Sequence, residues 1–339
     1  MQIDARSSLL ANSKDPILLH GSASGELARN VARAMGIPLS NRDLGKFPDG
    51  EIHVRVDDSV RGRDAYIIQS TCPPVNEHLM ELFIMIDTLR RASAESVTAI
   101  IPYYGYARQD RKVVGREPIT AKLIANLVSA AGADRVLCVD LHSPAIQGFF
   151  EIGMDHLTAV HSLARYIRGL NIADAVIVSP DTGGVKRADT FAGLLGLPLA
   201  ILHKRRSDAE QVNIQAVIGD VRDKRPILVD DIIATGGTIV KAADALLRAG
   251  ALPDITVTAT HAVLAGRAST MLSQPAIKRI VVTDSIPIAP AMREQLPSLH
   301  IVSLAPLLAD AIWHLHRKES LSILFKANPG DEVAIPWPL

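Results

Sequence analysis

The densest chemistry in this chain lies in one stretch, Ile227-Leu228-Val229-Asp230-Asp231-Ile232-Ile233-Ala234-Thr235-Gly236-Gly237-Thr238-Ile239. An apolar run of strand character ends in two adjacent carboxylates, passes through a loop of small residues and opens into a helix. Gly236 and Gly237 permit a tight turn and a close backbone approach. The loop N–H groups and the helix N-terminus make an anion site, and Thr235 and Thr238 add hydroxyl donors. Ionised Asp230 and Asp231 only accept hydrogen bonds, which suits a sugar diol or a hydrated metal. Phosphate on one side and hydroxyls on the other point to a sugar phosphate as ligand. An ordinary strand–turn–helix with a simple cap has no use for the second acid.

Other stretches carry chemistry of their own. Phe47-Pro48-Asp49-Gly50-Glu51 offers an aromatic face for stacking and two carboxylates, Asp49 and Glu51, that can accept from an exocyclic amine. The same residues also make an ordinary Pro-Asp-Gly hairpin turn. From Tyr103 to Lys112 the chain is polar, aromatic and cationic. Arg108 there can fork onto phosphate oxygens, Gln109 can donate to a nucleotide, and Asp110, Arg111 and Lys112 continue the surface. His142 follows Asp140 at a strand end, where a lone histidine is usually structural. Ser179-Pro180-Asp181-Thr182-Gly183-Gly184-Val185-Lys186-Arg187 places Asp181 in a second small-residue loop. His203-Lys204-Arg205-Arg206 follows the strand Ala200–Leu202 and opens a polar stretch, Ser207–Gln211, that could close as a lid. No Gly-x-x-x-x-Gly-Lys-Ser/Thr loop occurs, so any ATP must be held another way.

These motifs need strands to present them. Predicted strands are Ile17–Leu19, Ala65–Gln69, Ser96–Ile101, Val136–Val139, Val176–Val178, Ala200–Leu202, Ile227–Val229, Ile255–Thr258 and Ile280–Val282. Between them, helical spacing is visible in Glu26–Ala34 before Gly36, in Leu79, Leu82, Phe83, Ile86 and Leu89, in Leu123, Ile124, Leu127 and Val128 before Gly132, and in Ile239–Leu247 before Gly250. Alternating strands and helices imply an α/β fold of parallel sheets with helices on both faces. Ligands in such sheets sit beyond the carboxyl ends of the strands, where the motifs above fall.

The chain has 339 residues, with 36 Lys and Arg against 36 Asp and Glu, and it is 48% hydrophobic. That composition belongs to a folded protein, and the length suggests two domains. Zero net charge argues against a general nucleic-acid binder, whose affinity rests on excess cations. Cys72 and Cys138 are too few for a disulfide framework and lack metal-ligand spacing. No apolar run approaches the ~18 residues of a membrane span, and the start lacks a signal peptide, so a cytoplasmic protein without membrane attachment is expected.

The loop Asp230–Thr238 resembles that of the phosphoribosyltransferase fold, in which the paired acids hold ribose hydroxyls and the Thr-Gly-Gly-Thr stretch holds the 5-phosphate. With the other motifs, in order from about residue 16 to 325, the chain closely resembles the ribose-phosphate diphosphokinase family. The resemblance implies two tandem phosphoribosyltransferase-like domains, 1–155 and 156–314, with a segment at about 315–325 packing back on the first. It implies transfer of the diphosphoryl group of ATP to the anomeric hydroxyl of ribose 5-phosphate, with AMP as the second product. Phe47, Asp49 and Glu51 would form part of an adenine pocket reaching across from a neighbouring subunit, and Arg108 and Gln109 would line the ATP site. His142 and Asp181 would hold Mg2+, while Lys204 and Arg206 would stabilise transition-state charge. Ser59, Arg61, Ser320 and Ser322 would belong to an intersubunit site for ADP or phosphate. The family's assemblies are homo-oligomers, commonly hexamers. One departure is Ala234, where many family members carry an acid. The competing expectations are a phosphoribosyltransferase, which has no reason to carry Phe47–Glu51 or the Arg108-Gln109 stretch, and a non-catalytic regulatory paralogue, which only Ala234 favours.

Overall fold

The structure is a computed structural model that describes residues 15–207 and 211–325, with the backbone alone for 204–207, 211–215 and 325. The chain runs β1 (Ile17–His20), α1 (Gly25–Met35), β2 (Arg42–Lys46), β3 (Ile52–Val56), β4 (Asp64–Ile68), α2 (Val75–Arg91), β5 (Ser96–Ile101), α3 (Thr120–Ala131), β6 (Arg135–Val139) and β7 (Gly153–Leu157). It continues through α4 (Val160–Gly169), β8 (Ala175–Ser179), α5 (Val185–Leu195), β9 (Leu199–Ser207), β10 (Gln211–Ile218), β11 (Arg225–Ile233) and α6 (Gly237–Arg248). The last elements are β12 (Ile255–Ala262), α7 (Ala268–Leu272), β13 (Ile277–Thr283), α8 (Pro290–Gln295), β14 (Leu299–Val302) and α9 (Ala305–His316).

Two sheets result. The first has the order β1-β4-β5-β6-β7 and is parallel throughout. The second has the order β10-β9-β8-β11-β12-β13-β14, in which only the β9–β10 pair is antiparallel. Strand β5 is mostly apolar, while β12 alternates apolar residues with Thr256, Thr258 and Thr260; both are buried along nearly their whole length because helices cover both faces of a parallel sheet. Gly36 closes α1 in the left-handed conformation at φ 71°, a role that costs glycine no Cβ clash.

Several elements differ from the sequence expectation. β7 and β14 are short strands at sheet edges and only half-buried, so no apolar run marks them. β2 and β3 form a separate antiparallel hairpin around Phe47–Glu51. The charged residues after Leu202 do not leave the sheet. β9 continues through Ser207, with Lys204 opposite Ile214 and Arg206 opposite Val212 of β10. An edge ribbon tolerates charge, which is why a strand here reads as a loop. On α3 the buried face is Ala121, Ile124, Ala125 and Val128, while Leu123 and Leu127 point to solvent.

One hydrophobic cluster joins the two sheets. It includes Leu18, Leu27 and Val31 from the first part of the chain, Ile177, Phe191, Ile227 and Val281 from the second, and Leu308 and Ile312 from α9. Helix α9 packs along α1, and His316 Nδ1 lies 2.9 Å from Asp64 Oδ2 on β4. Among the described residues, no helix is long and apolar enough to cross a membrane.

Candidate active site

The carboxyl ends of β5, β6, β11 and β12 converge on one cleft, lined by Tyr103, Arg108, Asp140, His142, Asp231 and His261 among others. The first sheet supplies Tyr103, Arg108, Asp140 and His142, and the second supplies Asp231 and His261. Asp231 is the hub. Its side chain is buried, and His142 Nδ1–H donates to its Oδ2 at 2.6 Å. Arg187, on the first turn of α5, lies 3.4 Å from its Oδ1. Burial alone would raise the Asp231 pKa. The His142 hydrogen bond and the Arg187 charge outweigh it and hold the carboxyl well below its ordinary range. The same hydrogen bond raises the pKa of His142 against the effect of its own burial.

Asp230 is the opposite case. Its Oδ1 accepts from the Asp231 N–H at 2.9 Å. Burial, then the adjacent Asp231 charge, pushes its pKa up. Two neighbouring acids on one strand end thus differ: His142 and Arg187 hold the Asp231 carboxyl down, while burial and the Asp231 charge push that of Asp230 up.

The loop beyond them leads into the start of α6. Gly236 sits at φ 81° as the residue preceding α6, and a Cβ there would lie 3.1 Å from Leu272 Cγ. At Gly237 a Cβ would meet nothing closer than Thr235 Oγ1 at 3.8 Å. The Thr235 and Thr238 side chains are exposed at the helix start, where first-turn N–H groups have no partner within the helix. At Ala234 the backbone is engaged: its carbonyl accepts from the Ala265 N–H at 2.8 Å.

The remaining expected residues are dispersed. Asp181 Oδ1 accepts from the Gly183 and Gly184 N–H groups, each at 3.0 Å, which shapes the loop before α5. Gln109 Oε1 accepts from Thr120 Oγ1 at 2.5 Å at the start of α3. Phe47, Asp49 and Glu51 occupy the β2–β3 turn, closed by Phe47 N to Glu51 O at 2.8 Å and Glu51 N to Asp49 Oδ1 at 3.1 Å. The turn does not line the cleft of its own chain, and the Phe47 ring is 52% exposed. Lys204 and Arg206 have β9 backbone positions, but their side chains lie outside the described residues, as does the tail from residue 326. Ser59 and Arg61 are exposed near β3. Ser320 and Ser322 line a different cavity, of about 710 Å³, with Asp64, Asp134, Arg135 and Asp155.

Among the described residues, no group of three or more His, Cys, Asp and Glu side chains could hold a metal ion. His142 Nδ1 and Asp181 Oδ1 both have protein partners. That donor set fits magnesium, which keeps several waters and takes few protein ligands beside substrate phosphates. It does not fit a closed all-protein cage.

Sequence reasoning missed Arg187, Tyr103, Thr260 and His261 as site residues. Arg187 stands within the Ser179–Arg187 motif, but its aim follows only from where α5 begins. The available signal for His261 was a histidine inside an otherwise buried strand, Ile255–Ala262.

Residues 16–132 match the family model described as the N-terminal domain of ribose phosphate pyrophosphokinase, and residues 211–326 match the phosphoribosyl synthetase-associated domain. The chain is 50% identical over 308 residues to the ribose-phosphate pyrophosphokinase of Campylobacter jejuni, covering 91% of this chain and 98% of that protein. It is 48% identical over 304 residues to the enzyme of the same name from Bacillus subtilis, covering 90% and 95% of the two chains. The crystal structure of phosphoribosylpyrophosphate synthetase from Mycobacterium smegmatis superposes with a TM-score of 0.83 at 44% identity, covering 90% of this chain and 99% of that one. An α/β architecture of two mainly parallel sheets, two family models in order and relatives matched over nine-tenths of the chain lead to one conclusion: this protein belongs to the ribose-phosphate pyrophosphokinase family.

Proposed function

We propose that the protein transfers the diphosphoryl group of ATP to the anomeric hydroxyl of ribose 5-phosphate, giving 5-phosphoribosyl 1-diphosphate and AMP for nucleotide biosynthesis. The anomeric oxygen attacks the β-phosphorus as its hydroxyl proton is given up to solvent, the bond from that phosphorus to the α–β bridging oxygen breaks, and AMP leaves. The observation that carries the reading is the seam between the sheets. The sugar-phosphate loop of β11 meets the loop of β6 there, with His142 and Asp231 2.6 Å apart. Asp230 accepts from the ribose hydroxyls, and Thr235, Gly236, Gly237 and Thr238 hold the 5-phosphate. Asp231 stays with His142 and Arg187, so its part in sugar binding is to fix the strand end.

Arg108 and Gln109 bind ATP from the β5 side. Phe47, Asp49 and Glu51 stand on an exposed hairpin away from the cleft, which supports a role in the adenine pocket of a neighbouring copy and hence a homo-oligomer, a hexamer by resemblance. Bound Mg2+, held by His142 and Asp181, would neutralise phosphate charge. Lys204 and Arg206, whose backbone belongs to β9, stabilise charge that spreads during transfer. Rate comes mainly from positioning and electrostatics. Residues 1–155 and 156–314 form the two domains, and the location is cytoplasmic. The cavity at Ser320 and Ser322 holds Asp64, Glu95, Asp134, Asp155 and Glu319 against Arg135 and Lys318. An ADP or phosphate effector there needs cations from another subunit, such as its copy of Arg61.

The test is AMP release from purified protein with ATP and Mg2+, with and without ribose 5-phosphate. Sugar-dependent AMP that collapses in Lys204→Ala is expected. Binding of ribose 5-phosphate without any AMP release overturns the reading.

A further inference from the structure

The turn after β6 is held in a conformation that its sequence does not favour. Asp140 has φ 40°, in the left-handed region that residues with a Cβ seldom adopt. Such a residue persists only when its surroundings over-determine it, and here they do. The Asp140 N–H donates to Leu157 O at 2.9 Å, and the next amide, Leu141 N–H, donates to His156 Nε2 at 2.8 Å. The buried carboxylate accepts three hydrogen bonds: from Thr158 Oγ1 at 2.7 Å, from Ala159 N at 2.9 Å and from Thr260 Oγ1 at 2.6 Å.

One of these ties, from Thr260, crosses from the other sheet, and a further one from His261 joins it. Thr260 and His261 are consecutive residues of β12. While Thr260 grips the Asp140 carboxylate, His261 Nε2 lies 3.0 Å from the Asp140 carbonyl. With Nε2–H donating to that carbonyl, Nδ1 accepts from Ser285 Oγ at 3.0 Å, which assigns the tautomer. His261 is buried, with the Tyr103 ring edge-on at 5.1 Å. A carboxylate with three donors around it is poorly placed to bind an ion. It is well placed to fix a turn, and two residues later that turn delivers His142 to Asp231.

We propose that Asp140 is a positioning residue, clamped by Thr260 and His261 across the domain seam, and that this clamp sets the orientation of His142 for the reaction. The first sheet carries His142, but the second sheet aims it. Docking of the sheets and assembly of the site are therefore one event. The kinetic half of the test rests on the pyrophosphokinase reading; the spectroscopic half does not.

The variants are Thr260→Val, which removes one donor with little change of shape, and Thr260→Ser, which restores it. Asp140→Asn is the second line, because asparagine tolerates the left-handed region. The first readout is the His142 imidazole 15N resonance in labelled full-length protein without nucleotide or metal, assigned by its loss in His142→Gln. Thr260→Val and Asp140→Asn should move it toward the position of a solvent-exposed imidazole. The second readout is turnover: kcat should fall about 10- to 100-fold, as for other groups that orient a ligand side chain. KM for ATP and ribose 5-phosphate should stay within about twofold, since ground-state binding is untouched. Thr260→Ser should return both readouts to wild type. A Thr260→Val protein that melts earlier but keeps the wild-type His142 resonance and kcat overturns the proposal, leaving Asp140 a merely structural tie. If Thr260→Val does not fold, an unmoved His142 resonance in Asp140→Asn overturns it equally. If wild type has no pyrophosphokinase activity, the functional reading fails, while the resonance still decides the clamp.

Discussion

Replacing Arg187 by methionine keeps much of the side-chain bulk and removes the charge 3.4 Å from Asp231 Oδ1. At an effective dielectric of about 20, unit charges at that distance attract by ~5 kcal/mol, before desolvation offsets part of it. Arg187 is 19% exposed and Asp231 7%, so this is a mostly buried pair. Breaking such a pair from one side costs about 3–5 kcal/mol because the remaining charge is left uncompensated. Asp231 still has His142 on its other oxygen at 2.6 Å, so the lower end, about 3 kcal/mol, is expected. For a cooperative unit of this size that is a fall in Tm of about 4–5 °C. The assay is denaturant unfolding of wild type, Arg187→Met, Asp231→Asn and the double variant. The cycle should return a coupling energy of about 2 kcal/mol, with the double variant less damaged than the sum of the singles. Additivity within about 0.5 kcal/mol would refute the claim that Arg187 holds the Asp231 carboxylate.

Further expectations follow from burial and backbone geometry. His161 is held below its ordinary pKa by burial and then by Arg165. Its contribution to stability is therefore full above about pH 6.5 and declines as pH falls through that value, because the unfolded chain takes up the proton first. The Tm difference between His161→Gln and wild type should shift in the variant's favour from pH 7 to pH 5, and a constant difference would contradict the sign. Phe191 is 1% exposed inside the cluster that joins the sheets, so Phe191→Ala should cost about 3–5 kcal/mol in urea unfolding. Gly236→Ala places a Cβ in the left-handed region 3.1 Å from Leu272 and should lower Tm, at about 1–2 kcal/mol from backbone strain alone. Gly237→Ala, with open space around it, should melt like wild type yet raise KM for ribose 5-phosphate, and unchanged KM would count against a phosphate cradle at this loop.

Local patterning reports some parts of this molecule and not others. Ser96–Ile101 is visible because both faces of β5 are buried, so the apolar run and the strand coincide. Asp230 and Asp231 are visible for a related reason: acid at the end of such a run is costly unless it has work. What no local pattern carries is the partner of each acid. His142 and Asp231 are 89 positions apart, and only the meeting of two sheets puts them in contact. The same limit hides Arg187, Thr260 and His261. Edge positions fail differently. His203–Ser207 looks like a charged loop because an edge ribbon needs no apolar alternation, and β7 and β14 are too short and too little buried to stand out, although Leu299 and Ile301 of β14 pack on the core. On α3, Leu123 and Leu127 share the helical spacing of the core positions but lie on the solvent side, since spacing fixes a face and not what covers it.

The apolar cluster shared by both sheets has a mechanical consequence. Leu163, Ile177, Phe191, Leu308 and Ile312 pack in the same continuous core as Leu18, Leu27 and Val31. Cutting the chain after Leu157 would therefore strip an oily surface from each fragment instead of releasing two self-sufficient pieces. The halves cannot swing apart like the jaws of a hinged enzyme without unfolding their common interior. Motion during turnover is left to parts outside that shared interior, such as the β2–β3 turn, where Phe47 stands in solvent. The body of the molecule is an anvil, and only its trim can move.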